Sequence, residues 1–110
     1  MQKCDLLYLN LSFIEQHYSE DISIEDISSF CGLNRSYFSK VFRDAMGESP
    51  QGFLLHYRMA RAAQLLTESR LPISTISTMV SYPNQLHFSR AFKNVYGISP
   101  RDYRAKHLAL

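Results

Sequence analysis

The chain has 110 residues, of which 45% are hydrophobic, and this is enough for one small packed domain or two very small ones. Its net charge of +2 identifies no class of partner, and two cysteines, Cys4 and Cys31, are too few for a disulfide framework, which favours a reducing compartment such as the cytoplasm. No apolar run reaches the ~18 residues of a membrane-spanning helix, and the N-terminal residues do not follow the pattern of a signal peptide, so we expect no membrane partner.

Apolar residues recur at helical spacing over residues 5–18 and predict a first helix. Its buried face is predicted to carry Leu7, Leu11, Ile14 and Tyr18. Residues 1–33 contain six acids and one cation, whereas residues 34–110 contain eleven cations and four acids. This asymmetry predicts an acidic back, which includes the first helix, and a basic front.

A second helix is expected to begin after Ser23, because Ser23 and Asp26 have the spacing of a capping box. The helix is predicted to run from Ile24 to about Cys31. Its inward residues are predicted to be Ile24, Ile27 and Phe30. Gly32 then permits a tight turn with a left-handed backbone.

A ten-residue pattern occurs twice, at residues 34–43 and 84–93. Both copies open with Asn, which is a good helix N-cap, and both contain two phenylalanines four positions apart. Since residues four apart share one face of a helix, each copy predicts a helix with its phenylalanines inward and its cations outward. The outward cations are Lys40, Arg43, Arg90 and Lys93. Exposed cations above a buried aromatic stripe suit a helix that is presented to a polyanion.

The same end signals follow both copies, since Gly47 and Gly97 each precede a Ser-Pro pair that favours the start of another helix. After the first copy, the longest helix is predicted over Gln51 to about Glu68, with a length of ~27 Å. A break is expected over residues 69–72. After the second copy, a final helix is predicted to begin at Pro100.

The pattern upstream of the second copy repeats that of the first, with a helix expected from Ile73 to Val80 and a turn at residues 81–83. A helix, a tight turn and a second helix form a helix-turn-helix, and two copies with matching cations make this prediction specific. We therefore predict an all-α chain of about seven helices. It would comprise a first helix-turn-helix subdomain at residues 1–49, a linker helix at 50–69 and a second such subdomain at 70–110.

The placed residues resemble the DNA-binding domain of the AraC/XylS family of bacterial transcriptional regulators, over essentially the whole chain. The signature of that family is clearest at Ile76, residues 88–93, residues 96–97, Ser99-Pro100 and Tyr103-Arg104. The chain departs from it at Ser81-Tyr82, where the family usually has Gly-Phe, and at Asn84, where Asp is common. Ser81 must therefore adopt a turn that glycine makes easily.

The resemblance implies a homeodomain-like fold in which two helix-turn-helix modules enter adjacent major-groove segments of promoter DNA and regulate transcription. The base-reading positions of the family fall at Ser36, Ser39, Lys40, Gln85, Leu86, His87 and Arg90. Lys and Arg suit guanine, Gln suits adenine, and Leu suits a thymine methyl group. Three other cations, Arg35, Arg43 and Lys93, are interpreted as phosphate contacts, which add affinity without reading sequence. Because Ser36 and Ser39 are short, we expect the first module to read bases less strictly.

The resemblance also introduces RNA polymerase and a separate effector-binding or dimerisation domain as candidate partners. An enzyme is not expected, because the four glycines form no phosphate loop and no motif places a nucleophile beside a base. The spacing of His17, His56 and His107 predicts no metal site, and no cofactor is expected. The alternative is a helical protein-interaction module without DNA binding. It would explain the helices but not the matching cations of the duplicated helix.

Overall fold

The structure is a computed structural model that describes the backbone of residues 3–108 and the side chains of residues 8–108, so the side chains of Cys4 and Leu7 lie outside it. The described chain is all-α, as predicted, with seven helices and no strand. They are α1 (Lys3–His17), α2 (Ile24–Phe30), α3 (Arg35–Met46), α4 (Pro50–Glu68), α5 (Ile73–Met79), α6 (Gln85–Tyr96) and α7 (Pro100–His107). Among these described helices, none is both long and apolar enough to cross a bilayer.

The chain divides into two compact units, Met1–Leu55 and His56–Leu110, so that the boundary falls within α4. In the first unit, the core side chains come from α1 to α4. They include Ile14, Ile24, Ile27, Phe38, Phe42 and Leu54. The predicted capping box at the start of α2 is confirmed, since the Ser23 hydroxyl and the Asp26 carboxylate each accept the other residue's backbone N–H, at 3.1 and 2.8 Å.

Two predicted core residues of the first unit are exposed instead. Leu11 is 39% exposed, and the fully buried side chains among those described for α1 are Asn10 and Ile14, which lie four residues apart and so share one face. Phe30 is 51% exposed, whereas Ile24 and Ile27 of α2 and the following Cys31 are buried. The Phe30 ring packs against Phe13 at the edge of the unit, with ring centroids 4.9 Å apart.

The second unit buries side chains from α4, α5 and α6. They include Met59, Ala62, Leu66, Ile76, Val80, Phe88 and Phe92. Arg104 of α7 donates from Nε to the Leu66 carbonyl at 3.0 Å and from Nη2 to the Ser69 carbonyl at 3.3 Å. The last carbonyls of a helix lack partners within it, so these bonds satisfy the end of α4 and fix α7 beside it.

The turns that precede α3 and α6 have the same backbone conformation. Gly32 has φ of 73° and Ser81 has φ of 68°, and Ser81 is the single described residue other than glycine with positive φ. Each donates its N–H to the carbonyl three residues earlier, Ser29 or Thr78, at 3.0 Å. The predicted left-handed turn at Ser81 is therefore confirmed, and it is strained, because a side chain disfavours this conformation.

We predict that Ser81→Gly leaves stability unchanged or raises it by up to about 1 kcal/mol, because relief of ~1–2 kcal/mol of left-handed strain exceeds the added chain entropy of glycine. The matched control is Gly32→Ser, which should lower stability by about 1 kcal/mol. A Cβ at Gly32 would meet no atom within 4 Å, so backbone strain alone is tested there. Thermal melting curves measure both changes, and a clear fall for Ser81→Gly would contradict the assignment of strain.

Candidate nucleic-acid interface

The duplicated pattern forms α3 and α6, two helices of 12 residues with matching ends. The Asn34 side-chain oxygen accepts the backbone N–H of Tyr37 at 2.9 Å. The Asn84 oxygen accepts those of Leu86 and His87, at 2.9 and 3.1 Å. Left-handed glycines end both helices, as predicted, and their N–H groups bond to carbonyls of the last turn. The sequence therefore encodes the start and the end of each helix locally.

Two buried phenylalanines fix the rotation of each helix about its own axis. Phe38 and Phe42 in α3, and Phe88 and Phe92 in α6, are at most 1% exposed, and the ring centroids of each pair are 5.9 Å apart. The inward prediction is thus confirmed for all four rings. Since the phenylalanines occupy the core side, the remaining faces of both helices are turned outward.

All ten predicted contact residues lie on these two helices, five on each. Nine of them are exposed: Arg35, Ser36, Lys40, Arg43, Gln85, Leu86, His87, Arg90 and Lys93. Ser39 is the exception and is half-buried. Leu86 is 58% exposed, so its apolar side chain is accessible to a partner. Both helices can therefore present their predicted residues to a partner, and the role of each residue remains a prediction.

The first residues of the two helices differ in charge. Arg35 donates from Nη1 to Glu25 Oε1 of α2 at 2.5 Å, and both side chains are 58% exposed. Backbone hydrogen bonding and the hydrogen bond from Arg35 lower the pKa of Glu25, so its carboxylate stays charged. The equivalent positions in the second unit hold Ser74 and Gln85, which are neutral. Arg35 is therefore partly neutralised within the protein, whereas α6 begins without such a pair.

The other cations of α3 and α6 form no such salt bridge among the described residues. Within the part of the chain that the structure describes, salt bridges join His17 to Glu20 and Glu25 to Arg35, and no salt bridge involves the four remaining helix cations. Those cations are Lys40, Arg43, Arg90 and Lys93. Exposed, unpaired cations on one helix favour contact with an anionic surface.

The repeat also indicates two positions that the sequence-based prediction of contact residues omitted. Tyr37 is equivalent to His87, and Ser89 is equivalent to Ser39, at the common offset of 50 residues. Tyr37 is 55% exposed, and Ser89 is half-buried in the same way as Ser39. Both residues are found when each predicted contact position of one copy is also marked at the equivalent position of the other copy.

Comparison with known proteins finds a helix-turn-helix domain family and transcriptional regulators. A family model described as a helix-turn-helix domain matches residues 27–106. The probable transcriptional regulator LumQ of Photobacterium leiognathi is 36% identical over 93 residues, which are 84% of this chain and 38% of LumQ. The chain spans about a third of the length of the curated relatives it matches.

Solved structures share the fold over nearly the whole chain. The C-terminal domain of AraT, a response regulator from Geobacillus stearothermophilus, matches with a TM-score of 0.91 and 32% identity, over 96% of this chain and 88% of that domain. A transcriptional regulator from Chromobacterium violaceum, described among AraC-type DNA-binding domain-containing proteins, matches with a TM-score of 0.88 and 28% identity. That match covers 96% of this chain and 95% of the regulator.

Proposed function

Since this chain belongs to the AraC-type helix-turn-helix family, we propose that it binds double-stranded promoter DNA sequence-specifically and thereby regulates bacterial transcription. The observation that supports this most directly is the duplicated helix, in which two buried phenylalanines turn exposed cations and polar groups outward. The major groove is ~12 Å wide and admits an α-helix, so α3 and α6 each suit one groove segment.

The outward residues are assigned to two kinds of DNA contact. Base reading is assigned to Ser36, Ser39, Lys40, Gln85, Leu86, His87 and Arg90. Phosphate contact is assigned to Arg35, Arg43 and Lys93. Residues in the N-terminal half of a recognition helix meet base edges, which suits Gln85 to His87 and Arg90, and the C-terminal part of such a helix lies closer to the backbone, which suits Lys93.

Residues 1–49 and 70–110 are proposed as the two DNA-reading modules and residues 50–69 as the helix that links them. Because the relatives are about three times as long, we propose that the full regulator has a separate effector-binding or dimerisation domain. RNA polymerase is the proposed partner in activation. The chain acts by binding rather than by catalysis in this proposal, and its promoter target implies a cytoplasmic protein.

Binding sites would be obtained first by selection from random duplex DNA, and the recovered duplex would then be titrated at two salt concentrations. We expect one preferred sequence and an affinity that falls steeply with salt, by a slope of about −0.9 for each phosphate neutralised. A chain that enriches no sequence and shows no salt-dependent binding would instead be a helical protein-interaction module.

Arg90 and Lys93 test the division between base and phosphate contacts. Arg90→Ala should cost about 1–3 kcal/mol and relax the preference at one base pair, because Arg can bond guanine O6 and N7 together. Lys93→Ala should weaken all sequences equally and lower the salt slope by about one. The measurement is a titration against single-base variants of the selected site. An unchanged ranking of those variants for Arg90→Ala would contradict its assignment.

Glu25 tests whether the ion pair restrains Arg35. Glu25→Gln keeps the shape of the side chain and removes its charge, so the guanidinium of Arg35 becomes free to contact a phosphate. We expect tighter binding to all sequences and a salt slope that is greater by up to about one. The control is the same substitution in an Arg35→Ala background, where the increase should disappear. An equal increase in that background would show general removal of negative charge instead.

A further inference from the structure

We propose that Tyr37 is a further sequence-reading residue, whose ring contacts the 5-methyl group of a thymine in the major groove. The inference rests on the proposed function and extends it, because it gives α3 an apolar contact that its assigned serines and lysine do not provide. Tyr37 is 55% exposed, so its ring is largely uncovered in the free protein.

The backbone places Tyr37 at the end of α3 that meets bases. It is the third residue of the helix, and its N–H is held by the Asn34 side chain at 2.9 Å. Recognition helices contact base edges with their N-terminal residues. Lys40 follows three positions later and therefore lies on the same face of the helix, which places a cation beside the exposed ring.

The duplication supports the same position independently. His87 is equivalent to Tyr37, is also the third residue of its helix, and has its N–H bonded to the equivalent asparagine, Asn84, at 3.1 Å. His87 is a proposed base reader of the second module. The fold therefore holds an exposed ring at the same point of both helices, and the chemistry of the ring differs between them.

The composition of the outward face favours a thymine methyl group as the ligand. The other exposed side chains in the first half of α3 are Arg35, Ser36 and Lys40, and none of them ends in an apolar group. The methyl group is the apolar feature that a base pair presents in the major groove. Contact between the ring and this methyl group would remove apolar area from water on both sides.

The test replaces each thymine of the selected site, one at a time, with deoxyuridine, which lacks only the methyl group. At one position, distinct from any thymine that Leu86 reads, wild-type affinity should fall about fourfold, because burial of one methyl group is worth ~0.8 kcal/mol and ~1.4 kcal/mol is a factor of ten. Tyr37→Ala should lose sensitivity at that position, and Tyr37→Phe should keep it because the ring is retained.

His87→Ala is the matched control and should leave the sensitive position unchanged, since it alters the equivalent ring of the other module. Melting curves should show that the variants are folded, and Tyr37→Gln replaces Tyr37→Ala if the alanine variant does not fold. The inference is overturned if no thymine-to-deoxyuridine replacement lowers wild-type affinity, or if Tyr37→Ala gives the same scan as the wild type. It is also overturned if Tyr37→Phe loses the sensitivity as Tyr37→Ala does. A wild-type chain that shows no preference among DNA sequences would overturn the proposed function itself.

Discussion

The pair of phenylalanines four positions apart is the interaction on which both candidate reading helices depend. Phe38 with Phe42, and Phe88 with Phe92, hold the core side of α3 and α6, and an edge-on aromatic ring covers the second member of each pair. That covering ring is Phe53 in the first unit and Tyr103 in the second, at centroid distances of 5.6 and 5.3 Å. Removal of one such buried ring typically costs about 3–5 kcal/mol, whereas exposed substitutions usually change stability by less than about 0.5 kcal/mol. The outward residues can therefore change without loss of the helix that presents them.

This separation explains why the two units share a framework and differ in their outward chemistry. The caps, the inward rings and the covering ring have equivalents at the offset of 50 residues. Some of the outward positions hold different residues, since Ser36 corresponds to Leu86 and Tyr37 to His87, whereas the cations Lys40 and Arg43 are matched by Arg90 and Lys93. The Glu25–Arg35 pair adds a further difference, because it partly neutralises the start of α3. The same geometry thus supports two different sets of contacts, and this suits the reading of two different DNA segments.

The sequence indicates where α3 and α6 begin and end, because the signals for their ends are local: an asparagine at one end and a glycine at the other. It fails where tertiary packing decides. Leu11 and Phe30 lose their predicted inward places to Asn10 and Cys31, and helical spacing alone does not distinguish a polar residue that packs from an apolar one that remains at the edge. The Glu25–Arg35 pair joins two helices across a turn, so its formation depends on the angle between them rather than on any local pattern. The exposed placement of the predicted contact residues follows from the inward phenylalanines, but which base or phosphate each would contact depends also on the DNA sequence.

The turn before α6 departs from the repeat in sequence while it keeps the backbone conformation of the turn before α3. Ser81 adopts the backbone conformation that Gly32 adopts in the first unit, at a strain of ~1–2 kcal/mol. In the second unit, the buried Ser77 hydroxyl donates a hydrogen bond to the Tyr82 carbonyl across this turn, whereas the equivalent Ser28 bonds within its own helix, to Glu25. A net contribution of about 1 kcal/mol from that bond offsets much of the strain. The Tyr82 ring also packs near Phe88, with centroids 6.1 Å apart, and so connects the turn to the inward face of α6. Because these contacts join the turn to α5 and to the inward face of α6, we expect Ser81 to affect stability more than it affects the outward face of α6.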